Sequence, residues 1–108
     1  MQVIEGAGDF VDVGVAHWVE QFRVPDLSVG TYSIPVGGVD DQSPHTEDEI
    51  YVCTSGRATL RTPSGDAVIA PGVVVYVPAG EEHRFVEVTQ DLSLFVLFAP
   101  PEESRAAG

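Results

Sequence analysis

The stretch PGVVVYVPAGEEHRF, Pro71–Phe85, decides how the chain is read. Val73–Val77 is a run of β-branched and aromatic residues between two breaks, which reads as a short strand. Gly72 before it and Gly80 after it permit tight turns, Pro78 ends the strand, and His83 opens the next. The same rhythm extends outward in both directions. LSVGTYSI (Leu27–Ile34), EIYVC (Glu49–Cys53), RATLRT (Arg57–Thr62), DAVIA (Asp66–Ala70), HRFVEV (His83–Val88) and LSLFVLF (Leu92–Phe98) all read as strands. Pro63-Ser64-Gly65-Asp66 is a turn signal that joins two of them as a hairpin, and Thr54-Ser55-Gly56 reads as a second tight turn. Val11–Phe22 fits a helical face as well as strand alternation; a strand from about Trp18 to Arg23, preceded by irregular chain, is the reading taken. Seven or eight short strands at this spacing imply an antiparallel sandwich or barrel. Pattern alone leaves immunoglobulin-like, lipocalin-like and jelly-roll arrangements open.

Composition narrows the partners. The 108 residues suffice for one domain, and 44% are hydrophobic, as in a globular protein. Seventeen acidic residues oppose five basic ones, all Arg, for a formal charge of −12. Such a surface repels phosphate backbones and anionic lipid, so neither nucleic acid nor a membrane is an expected partner. The same field concentrates cations. Cys53 is the only cysteine, so no internal disulfide can form and a cytoplasmic location is expected. Within EIYVC it reads as a small buried apolar residue rather than a nucleophile. The start, MQVIEGAGDF, lacks the basic and apolar regions of a signal peptide, and no apolar run reaches the roughly 18 residues of a membrane span. The expected organisation is an irregular or edge segment over residues 1–16, a barrel over 17–99 and a flexible tail over 100–108.

The histidines are His17, His45 and His83. His45 lies in SPHTEDE (Ser43–Glu49), where a metal-bearing strand competes with a charged turn. His45 and Glu49 are four apart, so an extended segment points both to one side. Glu47 shares that parity and is a fallback ligand; Asp48, Glu81 and Glu82 read as solvated turn residues, as Glu47 itself otherwise does. His17, beside Trp18, reads as a surface or core-edge residue.

Two spacings carry more. From Gly37, five residues precede Ser43, then Pro44, His45, three residues, Glu49, six residues and Gly56. From Gly72, five residues precede Pro78, then Ala79, Gly80, two residues and His83. The chain resembles the cupin superfamily, whose motifs run G-x5-H-x-H-x3-4-E-x6-G and G-x5-P-x-G-x2-H-x3-N. The resemblance covers Gly37–Glu87, with Ser43 in place of the first histidine and Glu87 in place of the final asparagine. It implies an all-β double-stranded β-helix, or jelly roll, with His45, Glu49 and His83 as ligands of a divalent metal (Fe, Mn, Ni or Zn). It further implies a homodimer and a small-molecule ligand.

Alternation then sends Tyr51 and Cys53 inward with Glu49, and Phe85 and Glu87 inward with His83. Tyr51 and Phe85 would line the cavity; Tyr51 and Glu87 would be the acid/base candidates. Two functions are expected from this set. One is metal-dependent chemistry on a small organic molecule, dioxygenase-, isomerase- or cyclase-like. The other is non-catalytic binding or sensing with a degenerate metal site.

Overall fold

The computed structural model describes residues 1–105 and contains six strands and, among those residues, no helix. The strands are β1 (His17–Val24), β2 (Leu27–Ile34), β3 (Asp48–Thr62), β4 (Gly65–Ile69), β5 (Val74–Val77) and β6 (Arg84–Ala99). All pairings are antiparallel, in the order β1-β2-β6-β3-β4 with β5 also on β3. The hairpin predicted at Pro63–Asp66 joins β3 to β4, with Thr62 opposite Gly65.

Two expected breaks are bends instead. Thr54-Ser55-Gly56 does not reverse the chain; β3 runs through it for 15 residues. Its pairing with β6 shifts register between Cys53 and Ser55, Ser55 and Arg57, and Arg57 and Thr59. Gly56 makes this possible. Its φ is +90°, and a Cβ there would stand 2.1 Å from the Asp91 carbonyl oxygen. Only glycine allows two backbones that close together at that φ. The segments read as HRFVEV and LSLFVLF likewise form one strand, β6. The first half of β3 pairs with β5 and the end of β6, and its second half with β4 and the start of β6. Each long strand thereby serves both ends of one curled sheet.

The interior follows the period of two. Tyr51 and Cys53 are buried with Glu49, whereas Ile50 and Val52 are half-buried on the outer side. Leu92, Leu94, Val96 and Phe98 point inward along β6 and meet Ile34, Leu60, Ile69 and Phe85 in one core. Burying each such side chain contributes about 1.5–3 kcal/mol.

The terminal segments close over this barrel. Residues 1–16 form no strand, but the Gly8 N–H donates to Thr31 Oγ1 (2.8 Å), the Val11 N–H to Ser33 Oγ (3.0 Å), and Ser93 Oγ to the Gly8 carbonyl (2.6 Å). These bonds account for three hydroxyl side chains buried on β2 and β6. The segment expected as a flexible tail turns back from Pro100 to Arg105. The Glu102 N–H donates to Ser28 Oγ (2.9 Å), and Arg23 Nη2 donates to the Glu102 carbonyl (2.7 Å). Glu47 receives the N–H groups of Glu103 (2.6 Å) and Arg105 (3.0 Å). Residues 106–108 of that expected tail lie outside the described residues.

Candidate metal centre

His45, Glu49 and His83 come together although His83 lies 34 positions beyond Glu49. Each offers one ligand atom, and the three atoms lie within 4.8 Å of one another. His45 lies in the loop three residues before β3, Glu49 is the second residue of β3, and His83 immediately precedes β6. Strand pairing brings the three ends to one mouth. The His45 ring packs edge-on against Phe98, with centroids 4.7 Å apart at 66°.

The histidine tautomer is set by the backbone. His83 Nδ1 lies 2.9 Å from the Glu81 carbonyl, which can only accept, so Nδ1 carries a proton. Nε2 faces the site, 3.0 Å from the Tyr51 hydroxyl and 3.2 Å from Glu49 Oε1. That carboxylate oxygen is buried, and the ion pair with His83 is its recorded polar contact. Burial by itself would lower the His83 pKa, but the contacts with Glu49 and the Glu81 carbonyl outweigh it and hold the imidazole above its ordinary value.

A buried acceptor oxygen beside an imidazole nitrogen fits a shared cation. Ligand bonds of about 2.1 Å at right angles put neighbouring donor atoms about 3 Å apart. The 3.2 Å spacing of Glu49 Oε1 and His83 Nε2 matches that geometry.

Tyr51 is buried beneath the cluster and stacks edge-on against Phe85, with centroids 5.0 Å apart. Burial and then the Glu49 charge push its pKa well above the ordinary tyrosine value, so the phenol stays protonated near neutrality. Phe85 is one layer behind this wall rather than in it.

Of the other expectations, those for Glu87 and Glu47 need correction, while those for His17 and Cys53 agree with the structure. Glu87 is exposed, where Thr59 Oγ1 donates to its carboxylate (3.3 Å). Its φ of +52° marks a bulge, after which Val88 rather than Glu87 turns inward. Glu87 therefore lies apart from His45, Glu49, His83 and Tyr51. Ser43 is exposed and its side chain belongs to a different surface cleft. Glu47 is neither solvated nor in the cluster: it is buried and holds residues 103 and 105. Asp48 accepts the Ala79 N–H (2.9 Å). His17 is half-buried at the start of β1. Cys53 is buried, and burial raises its thiol pKa, which removes it as a nucleophile.

The cavity beside the cluster measures about 270 Å³. Trp18, Tyr32, Val96 and Phe98 give it apolar walls, and Asp41 and Glu102 add carboxylates. Three contributors escaped the sequence reading. Asp40 is buried; it accepts from the Tyr32 hydroxyl (2.7 Å), the Phe85 N–H (2.8 Å) and Gln42 Nε2 (2.9 Å). Gln42 Oε1 lies 3.2 Å from both His45 Nε2 and the Tyr51 hydroxyl. Glu102 places Oε2 3.5 Å from His45 Nδ1, and burial with neighbouring acidic charge raises its pKa to about 6. Only the separation of Asp40 and Gln42 by two residues hinted at a shared face.

Comparison with known proteins agrees with this architecture. A family profile for the cupin domain matches residues 30–99. An uncharacterized protein of Streptomyces coelicolor is 41% identical over 85 residues, covering 79% of this chain and 81% of the relative. A glucose-6-phosphate isomerase of Pyrococcus furiosus is 35% identical over 65 residues, which span 56% of this chain but only 34% of that enzyme. Among solved structures, an RmlC-like cupin family protein from Methanocaldococcus jannaschii, with a double-stranded β-helix fold, superposes with a TM-score of 0.78 at 17% identity, covering 100% of this chain and 97% of that one.

Proposed function

Because the chain belongs to the cupin domain family, we propose that it holds one divalent transition metal ion between His45, Glu49 and His83 and acts on a small organic molecule beside it. The observation that carries this reading is the convergence of His45, Glu49 and His83, whose ligand atoms lie within 4.8 Å of one another, with the buried Glu49 Oε1 facing His83 Nε2 at 3.2 Å. A buried carboxylate is costly, and a cation shared with the two imidazoles would offset that cost. Iron, manganese, nickel and zinc all suit two imidazoles and a carboxylate.

The bound ion would supply Lewis-acid polarisation of a substrate oxygen, in isomerase- or cyclase-like chemistry, or a site for oxygen-dependent chemistry. The chain's own residues do the rest. Tyr51, held protonated, presents its hydroxyl to the cavity as a hydrogen-bond and proton donor. Trp18, Val96 and Phe98 exclude water and orient an apolar body. None of the residues lining this cavity is Arg or Lys, while Asp41, Glu49 and Glu102 are acidic. The preferred substrate is therefore compact and uncharged or cationic, not phosphorylated. That separates it from the sugar phosphate named for the Pyrococcus relative.

Ser43 supports one other reading. Where the family motif has a histidine, this chain has an exposed serine; a site short of that ligand suits a non-catalytic small-molecule binding or sensing domain. Metal analysis of purified protein beside His45→Ala separates the two. About one equivalent in the wild type, lost in the variant, is the expected result. Protein that stays metal-free after reconstitution moves the assignment to the binding domain.

A cytoplasmic location is part of the proposal, supported by the single buried thiol; among the described residues no helix is long and apolar enough to cross a membrane. The proposed partner is a second copy. Ile50 pairs with Tyr76 and Val52 with Val74, and Val74 and Tyr76 are strongly exposed on this outer face. Tyr76→Arg should convert the dimer to a monomer in light scattering; a monomeric wild type refutes the pairing.

A further inference from the structure

The geometry points to Gln42 as a fourth metal ligand, its side-chain oxygen supplying the donor that Ser43 does not. This rests on the metal reading of His45, Glu49 and His83.

The orientation of the amide is fixed by its other end. Asp40 is buried, and its carboxylate only accepts; it lies 2.9 Å from the Gln42 nitrogen. Three further donors, the Tyr32 hydroxyl and the N–H groups of Gln42 and Phe85, hold that carboxylate in place. Gln42 Nε2 therefore faces Asp40, and Oε1 faces the cavity.

There Oε1 meets His45 Nε2 at 3.2 Å. The other nitrogen of that ring, Nδ1, faces Glu102 Oε2 at 3.5 Å. Gln42 Oε1 and His45 Nε2 stand side by side, at the same 3.2 Å that separates Glu49 Oε1 from His83 Nε2; with the ring proton on Nδ1, both atoms can face one cation. Both spacings suit adjacent ligands of one ion, about 3 Å apart. The Tyr51 hydroxyl bridges the two pairs, 3.2 Å from Gln42 Oε1 and 3.0 Å from His83 Nε2.

A neutral carbonyl oxygen is an ordinary ligand for hard cations and a poor one for softer ions. Two nitrogens and two oxygens favour Mn(II) or Fe(II) relative to a site with three imidazoles. Gln42 thus tunes which metal is held.

The test uses metal-free protein and the ions themselves. Mn(II) and Zn(II) affinities are measured by chelator competition, and Co(II) is added for its visible absorption. Wild type, Gln42→Ala, Gln42→His and His45→Ala are compared, with circular dichroism confirming the fold. Loss of a partner that merely orients a ligand costs about 10- to 100-fold in affinity, so loss of a ligand should cost no less. Gln42→Ala is expected to weaken Mn(II) by at least about tenfold and to alter the Co(II) spectrum. Gln42→His is expected to keep one equivalent and shift preference towards Zn(II). If Gln42→Ala does not fold, an unchanged Co(II) spectrum and metal preference in Gln42→His overturns the inference. Weakened binding with an unchanged Co(II) spectrum also overturns it, because Gln42 would then only position His45. Wild-type affinity in Gln42→Ala overturns it while leaving the three-residue site intact. A wild type that binds no ion removes both readings.

Discussion

Glu47→Ala should release the C-terminal segment from the barrel mouth. The Glu47 carboxylate is buried and receives the Glu103 N–H at 2.6 Å, the Arg105 N–H at 3.0 Å and the Thr46 hydroxyl. A hydrogen bond to a charged group contributes about 1.5–3 kcal/mol, and two of these tie the segment down. In the variant the freed N–H groups return to water, which recovers part of that sum. A loss of about 3 kcal/mol in the local opening free energy is expected, or roughly 100-fold faster amide exchange at Glu103 and Arg105. The remaining anchors, Ser28 Oγ and Arg23, contribute about 1 kcal/mol each and do not compensate. Glu47→Gln should fall between, because its amide oxygen can accept one N–H while its nitrogen opposes the other. Acid should act in the same direction. Burial alone would raise the Glu47 pKa, but bonds from Thr46, Arg105 and Glu103 outweigh it and hold it below the ordinary 4.5. A depressed carboxylate gives stability that is present above that value and lost as pH falls through the lower folded one. Hydrogen exchange read residue by residue is the assay. Unchanged protection at both amides in Glu47→Ala would refute the tether.

Gly56→Ala should destabilise the fold by at least about 3 kcal/mol in urea titration, from φ strain and a Cβ at 2.1 Å from the Asp91 carbonyl; a neutral result would mean the β3 bend is not tightly packed. Tyr51→Phe should cost only about 1 kcal/mol of stability, yet lower kcat on the eventual substrate by about 100-fold or more; unchanged kcat removes Tyr51 as acid. Glu102→Gln should stabilise metal-free protein at high pH. Burial and acidic neighbours raise Glu102 from 4.5 to about 6, so its ionisation counts against the folded state as pH rises through that window. The gain should be about 1 kcal/mol after allowance for solvent screening, absent below pH 4.5, and visible as a thermal shift at pH 7. An equal shift at both pH values contradicts the assignment.

What could be read in advance follows from what alternation and fixed spacing encode. Tyr51 and Cys53 lie on the Glu49 side of β3 because a regular strand leaves no other choice. His45, Glu49 and His83 were legible through the resemblance to the two cupin motifs, whose spacings the chain keeps from Gly37 to Gly56 and from Gly72 to His83. The same alternation misplaced Glu87, since β6 shifts register against β3 between Val86 and Gln90 and nothing about an Asp/Glu-type residue announces a positive φ. Gly56 looked like a reversal because a glycine that bends a strand and one that ends it share a local sequence. Asp40, Gln42 and Glu102 escaped, and Glu47 was misread, for another reason. Their roles come from partners many positions away: Asp40 binds the Phe85 N–H, and Glu47 binds residues 103 and 105. A polar loop and a polar tail looked like solvent-facing chain until the barrel brought them to its mouth.

The two-residue rhythm of β3 has an evolutionary corollary. Glu49, Tyr51 and Cys53 share one reading frame with the inner face, and Ile50 and Val52 with the outer. A single-codon insertion just before Glu49 would expel the acid and the phenol together and admit two aliphatic side chains instead. Lineages of this domain should therefore tolerate length changes in the exposed β3–β4 turn at Pro63–Ser64 far better than between His45 and Cys53. Drift in ligand chemistry should proceed there by substitution alone.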